Sequence, residues 1–158
     1  AAGLLLGQTG GVQQPLLTRH TLEEARGELR ILLAEDNLVN QKLASALLSK
    51  RGHQVIVAVN GAEAVKISAD QVFDLILMDL QMPVLDGLAA TTAIRQREGE
   101  GGRRVPIVAM TANVLAGDKE RCLAAGMDGY VSKPIRVNEL LAAIADCVKN
   151  KEKPPGVA

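Results

Sequence analysis

Two short apolar runs in this chain end in acids: Ile31-Leu32-Leu33-Ala34 leads into Glu35-Asp36, and Leu75-Ile76-Leu77-Met78 leads into Asp79. Continuous apolar runs of this length read as buried parallel strands. An open parallel sheet carries its chemistry at the carboxyl ends of its strands, so Glu35, Asp36 and Asp79 are expected to meet at one edge. Two more runs finish at the same expected edge. Val105-Pro106-Ile107-Val108-Ala109-Met110 leads into Thr111-Ala112, and Tyr130-Val131-Ser132 leads into Lys133-Pro134. Clustered carboxylates suit a hard divalent cation, while an alcohol and an ammonium suit an anion. Together they describe a site that handles phosphoryl groups.

The elements that must position these residues follow a strand-then-helix pattern repeated five times, which demands crossovers and therefore a parallel sheet. Strands are expected near Arg30 to Ala34, Gln54 to Val59, Leu75 to Asp79, Ile107 to Thr111 and Gly129 to Ser132. Helices are expected near Val39 to Arg51, Gly61 to Ala69, Gly87 to Gln96, Ala116 to Ala125 and Arg136 to Lys149. In the first helix the apolar spacing of Val39, Leu43, Ala46 and Leu47 marks the core face, with Gly52 as its stop; in the last, Leu140, Leu141, Ile144 and Val148 do so. Asp86-Gly87 reads as a tight turn and helix start, and 95–104 as an exposed loop. Residues 1–28 read as a linker, with 1–18 rich in Gly and Gln, although Thr21 and Glu24 have the spacing of a capping box. The globular domain is placed at 29–150 and a solvated tail at 151–158. The first residue, Ala1, suggests an excerpt from a longer polypeptide.

The chain has 158 residues, 47% of them apolar, enough for one core. Eighteen basic and eighteen acidic side chains cancel, and there is no tryptophan and only one Phe and one Tyr. This excludes an electrostatic footprint or stacking platform for nucleic acid. No stretch approaches the roughly 20 apolar residues needed to span a bilayer, so no direct membrane contact is expected and a cytoplasmic location is assigned, within a membrane-anchored sensor if the parent is one. Cys122 and Cys147 read as packed free thiols, His53 as a surface turn residue and His20 as part of the linker.

The succession Glu35-Asp36, Asp79-Leu80-Gln81-Met82-Pro83 with Asp86-Gly87, Thr111-Ala112 and Lys133-Pro134 resembles the receiver domain of two-component response regulators. The resemblance runs from Arg30 to Lys149, about three quarters of the chain. The phrases Leu33-Ala34-Glu35-Asp36-Asn37, Val39-Asn40-Gln41 and Met78-Asp79-Leu80-Gln81-Met82-Pro83 are most similar to receivers of hybrid sensor histidine kinases. It implies a flavodoxin-like, doubly wound, five-stranded parallel sheet in strand order 2-1-3-4-5 with helices on both faces. It also implies a phosphoacceptor with self-phosphorylation and autodephosphorylation chemistry, and not a conventional enzyme.

On that resemblance Asp79 is the nucleophile and the phosphorylated residue. Asp36, Asp79 and the Gln81 carbonyl hold Mg2+, or Mn2+ in its place, and Glu35, where the family commonly has Asp, reaches the metal through water. Lys133 pairs with the phosphoryl oxygens, Thr111 donates its hydroxyl, and Ala112 leaves room for the group to enter. Pro134 corresponds to a proline that follows a cis peptide and turns the lysine inward. Thr111 and Tyr130 form the switch, and Gln81 and Asn113 flank the phosphoryl group. The implied partners are a histidine kinase transmitter domain, on the same polypeptide or another, and a histidine phosphotransfer domain. Two other functions compete: a Mg-dependent phosphohydrolase with an aspartyl nucleophile, and an interaction module that is never phosphorylated. The first wants a second aspartate two residues after the nucleophile, where this chain has Gln81; the intact acid, hydroxyl and lysine set argues against the second.

Overall fold

The computed structural model describes residues 28–99, 103–112 and 116–151. The expected linker and most of the tail, with His20, Thr21, Asn113 and the tip of the 95–104 loop, lie outside the described residues. The elements in chain order are β1 (Arg30–Ala34), α1 (Leu38–Lys50), β2 (Gln54–Ala58), α2 (Gly61–Asp70), β3 (Leu75–Asp79), α3 (Gly87–Glu98), β4 (Ile107–Thr111), α4 (Ala116–Ala125), β5 (Gly129–Ser132) and α5 (Val137–Lys151). All strand pairs are parallel and the sheet order is β2-β1-β3-β4-β5. This is the doubly wound, flavodoxin-like arrangement expected from the sequence.

Alternate residues of each strand point to opposite faces, so one sheet builds two cores. Leu32, Ile76, Met78, Ile107 and Ala109 pack with Ala64, Ala90, Ile94 and Cys122 under α2, α3 and α4. Ile31, Leu33, Leu77, Val108 and Met110 pack with Ala44, Leu48, Leu140, Ile144 and Cys147 under α1 and α5. The central strands β3 and β4 are covered on both sides, which is why they read as unbroken apolar runs and not as alternation.

Three helices start on side-chain caps, since the first backbone amides of a helix have no intrahelical partner. Asn37 accepts from the Asn40 amide (3.0 Å), Asn60 from that of Glu63 (2.8 Å) and Asp86 from that of Ala89 (2.8 Å). Glu63 Oε1 in turn accepts from the amide of Val59, just ahead of the cap, at 2.9 Å. At the amino edge of the sheet, Arg95 joins Glu98 (2.7 Å) and Asp128 (2.8 Å), and Asp128 also accepts from Arg104 and from the Ile107 amide. These bonds tie the end of α3 and the α4–β5 turn to the first residue of β4.

The core face of α1 departs from the sequence reading. Val39 and Leu43 are 71% and 43% exposed, Ala46 is exposed as well, and the buried residues are Ala44 and Leu48. The helix carries Leu or Val at positions 38, 39, 43, 47 and 48, so apolar residues at three- and four-residue spacing can be drawn along more than one stripe; packing selects the one that fits the sheet. Smaller differences fall at element ends. β2 stops at Ala58, leaving Val59 exposed before the Asn60 cap, α3 runs to Glu98, and α5 runs from Val137 to Lys151, one residue past the expected domain limit.

Candidate functional site

Strand order decides which acids meet. β3 lies between β1 and β4, with Ala34 opposite Met78 and Asp79 opposite Met110. The residues just beyond β1, Glu35 and Asp36, therefore stand beside Asp79. Thr111 is the last residue of β4 and pairs with Ser132, so Lys133 leaves β5 at the same edge. Backbone bonds carry this order past the strand ends: the Glu35 amide donates to the Ala58 carbonyl (3.0 Å), that of Leu80 to Met110 (3.1 Å) and that of Lys133 to Thr111 (2.8 Å).

Single oxygens of Glu35, Asp36 and Asp79 lie within 4.8 Å of one another. Glu35 and Asp79 are 1% and 4% exposed, whereas Asp36 is open to solvent. The Lys133 ammonium sits 2.9 Å from Glu35 Oε1 and 2.9 Å from Asp79 Oδ2. The other oxygens are also held: the Asn37 amide donates to Glu35 Oε2 (3.0 Å) and the Gln81 amide to Asp79 Oδ1 (3.2 Å). Thr111 is buried, Ala112 is exposed beside it, and both line a cleft of about 280 Å³ with Glu35, Asp36, Asp79, Gln81 and Lys133. The Lys133–Pro134 peptide is cis. Tyr130 lies two residues short of the edge, opposite Ala109, with its ring outward and 38% exposed.

Burial is the main influence on Asp79 and pushes its carboxyl up to about 6, opposed by the Lys133 hydrogen bond and assisted by the charge of Glu35. Burial acts on Glu35 in the same sense, but its bonds from Lys133 and the Asn37 amide outweigh it and its pKa falls below the ordinary value. Burial lowers Lys133, yet the two carboxylates more than offset it and its pKa is raised. The ammonium is thus held charged between one readily ionised acid and one reluctant one.

Three carboxylates facing one ammonium leave a surplus of negative charge at the edge. An all-oxygen donor set with that surplus fits a small hard dication, which takes carboxylates and keeps several waters.

Sequence reasoning missed two supports of this edge. Gln41, on α1, donates from Nε2 to the Glu35 carbonyl at 2.7 Å, and Asn37 both caps α1 and donates its amide to Glu35. The cap was readable from an Asn just ahead of the helix; the Gln41 bond carried no signal. His53 is likewise not a bare surface residue, because its Nδ1 accepts the Leu29 amide at 3.0 Å and anchors the entry to β1.

A five-stranded flavodoxin-like sheet with three acids, a hydroxyl and a lysine at its carboxyl edge defines a module for phosphoryl groups. The family model for the response regulator receiver domain matches residues 31–145, and the chain belongs to that family. A hybrid signal transduction histidine kinase, kinase I of Dictyostelium discoideum, is 45% identical over 120 residues, which is 73% of this chain and 7% of that protein. Histidine kinase 5 of Arabidopsis thaliana is 39% identical over 135 residues, 70% of this chain and 15% of that protein. The chain thus spans only a small part of the curated relatives it matches.

Among solved structures, the receiver domain of the sensor histidine kinase PA1611 from Pseudomonas aeruginosa PAO1, with a magnesium ion coordinated in its active-site cleft, is 46% identical. The match has a TM-score of 0.70 and covers 77% of this chain and 98% of that one. The receiver domain of Ssk1 from Saccharomyces cerevisiae, crystallised with the histidine phosphotransfer protein Ypd1, is 33% identical with a TM-score of 0.74. That match covers 82% of this chain and 95% of its own.

Proposed function

We propose that this domain accepts a phosphoryl group from a phosphohistidine onto Asp79, within the phosphorelay of a hybrid histidine kinase. The observation that supports it most directly is the position of Asp79: at the end of β3, nearly buried, 2.9 Å from the Lys133 ammonium and within the cluster of acids. A carboxylate oxygen of Asp79 attacks phosphorus and the new bond is O–P. The N–P bond of the donor breaks, and the imidazole nitrogen keeps the electron pair and is protonated.

Asp36, Asp79 and the Gln81 carbonyl would hold Mg2+, or Mn2+ in its place, with Glu35 acting through water. The bound ion would supply positive charge against the anionic donor. Lys133 is placed to follow charge onto the phosphoryl oxygens as the carboxylate gives up its own, and the Thr111 hydroxyl to donate to another of them. Phosphoryl transfer is chiefly positioning and charge stabilisation, so a small domain with preset partners suffices. Gln81, where a hydrolase of the aspartyl type wants a second acid, favours a stored phosphoryl group over turnover.

The donor is a kinase transmitter domain, the next acceptor a histidine phosphotransfer domain, and the location cytoplasmic. Inward movement of Tyr130 as Thr111 engages the phosphoryl group would reshape the face formed by α4, β5 and α5. Intact mass after incubation with magnesium and acetyl phosphate tests the reading. A gain of one phosphoryl group in the parent and none in Asp79→Asn is expected; a gain in both, or in neither even with a phosphorylated transmitter domain, would overturn it.

A further inference from the structure

Thr111 and Ala109 stand two residues apart on β4 and so share a sheet face, and Tyr130 is the direct neighbour of Ala109 on β5. Ala109, between them on that face, is small and fully buried. The Tyr130 ring lies outward, and the Lys119 ammonium of α4 is 5.8 Å from its centroid. A cation within about 6 Å of a tyrosine face is attracted by the ring quadrupole. Among the described residues Lys119 has no carboxylate partner; Asp118, on the same helix, is paired with Arg121 at 3.2 Å.

We infer that Lys119 is a positioning residue whose charge holds Tyr130 outward and thereby sets how readily the phosphorylated site draws the ring inward. This rests on the reading of Thr111 and Tyr130 as a switch. The contact exists only in the outward state, so removing the cation weakens that state alone. A ligand that favours the inward state then binds more tightly by the same factor, because coupling is reciprocal. An exposed cation–π contact corresponds to a factor of about two to five.

The chain offers a clean probe, for Tyr130 is its only tyrosine and it has no tryptophan. The full chain with magnesium is titrated with beryllofluoride, a phosphoryl mimic, and tyrosine emission is followed in the parent, Lys119→Gln and Lys119→Arg. Equal thermal melts establish that the variants are folded. Lys119→Gln is expected to lower the midpoint about two- to five-fold, and Lys119→Arg, which keeps the cation, to match the parent. In a Tyr130→Ala background, Lys119→Gln should leave the beryllofluoride affinity measured by calorimetry unchanged.

The failures are distinct. Heat of binding without any change in parent emission would end the switch reading and this inference with it. A parent response with an unaltered midpoint in Lys119→Gln would overturn the role of Lys119 alone. So would an equal shift in Lys119→Arg, or a shift that persists without Tyr130.

Discussion

Asp79→Asn should make the metal-free protein more stable, by an amount that depends on pH. Burial carries the Asp79 carboxyl from an ordinary 3.8 to about 6. At 1.36 kcal/mol per pKa unit, ionising Asp79 inside the fold costs up to roughly 3 kcal/mol, an upper bound because Lys133 and Glu35 readjust around it. The folded pKa lies above the unfolded one, so the stability contributed by the protonated carboxyl is complete below 3.8 and is lost as pH rises through about 6. Asparagine has the same shape, still accepts the Gln81 amide, and carries no charge to bury, while Lys133 keeps Glu35 at 2.9 Å.

Urea denaturation of parent and variant in EDTA is the assay. We expect Asp79→Asn to be more stable by about 1–3 kcal/mol at pH 7.5, or several degrees in melting temperature, with the gap narrowing toward pH 4.5. Millimolar magnesium should narrow the gap at pH 7.5 by stabilising the parent. An unchanged or lower stability of the variant at pH 7.5, or a gain equal at both pH values, would refute the reasoning.

Three further outcomes are expected. A Cβ at residue 87 would stand 2.2 Å from the Asp79 carbonyl oxygen, so Gly87→Ala should cost about 1–3 kcal/mol in urea denaturation and slow acetyl phosphate labelling by displacing the end of β3. Among the described residues the buried Thr91 hydroxyl has no hydrogen-bond partner, so Thr91→Val should be neutral or stabilising by up to about 1 kcal/mol; a clear loss of stability would mean that the hydroxyl has a partner. Burial, with the Arg51 charge, lowers the His53 pKa below 6.5 despite Glu28, so its contribution is present above pH 6.5 and is lost as pH falls toward the folded pKa. Titration of the His53 ring by NMR should show the lowered value, and His53→Gln should flatten that part of the stability profile.

The acids and the hydroxyl were legible because each follows an unbroken apolar run, the mark that a strand buried on both faces leaves in one dimension, whereas Lys133 follows the half-exposed β5 and was read from its place beside the other elements. Asp86 announced its helix start for a similarly local reason, and Asn37 and Asn60 offered the same unread signal: a cap is satisfied within three residues. Contacts between distant segments left no such trace. The stripe of α1 that faces the sheet, the Gln41 bond to the Glu35 carbonyl, the His53 bond to Leu29 and the Lys119 contact with Tyr130 depend on how helices settle on a twisted sheet, and several arrangements satisfy the same periodicity. The same division holds for the chemistry. Residue types by themselves determined that carboxylates and an ammonium would share an edge. Only the tertiary structure decided that Asp79 is the reluctant acid and Glu35 the ready one, because solvent exclusion and the placing of one lysine between two carboxylates are properties of the assembled fold.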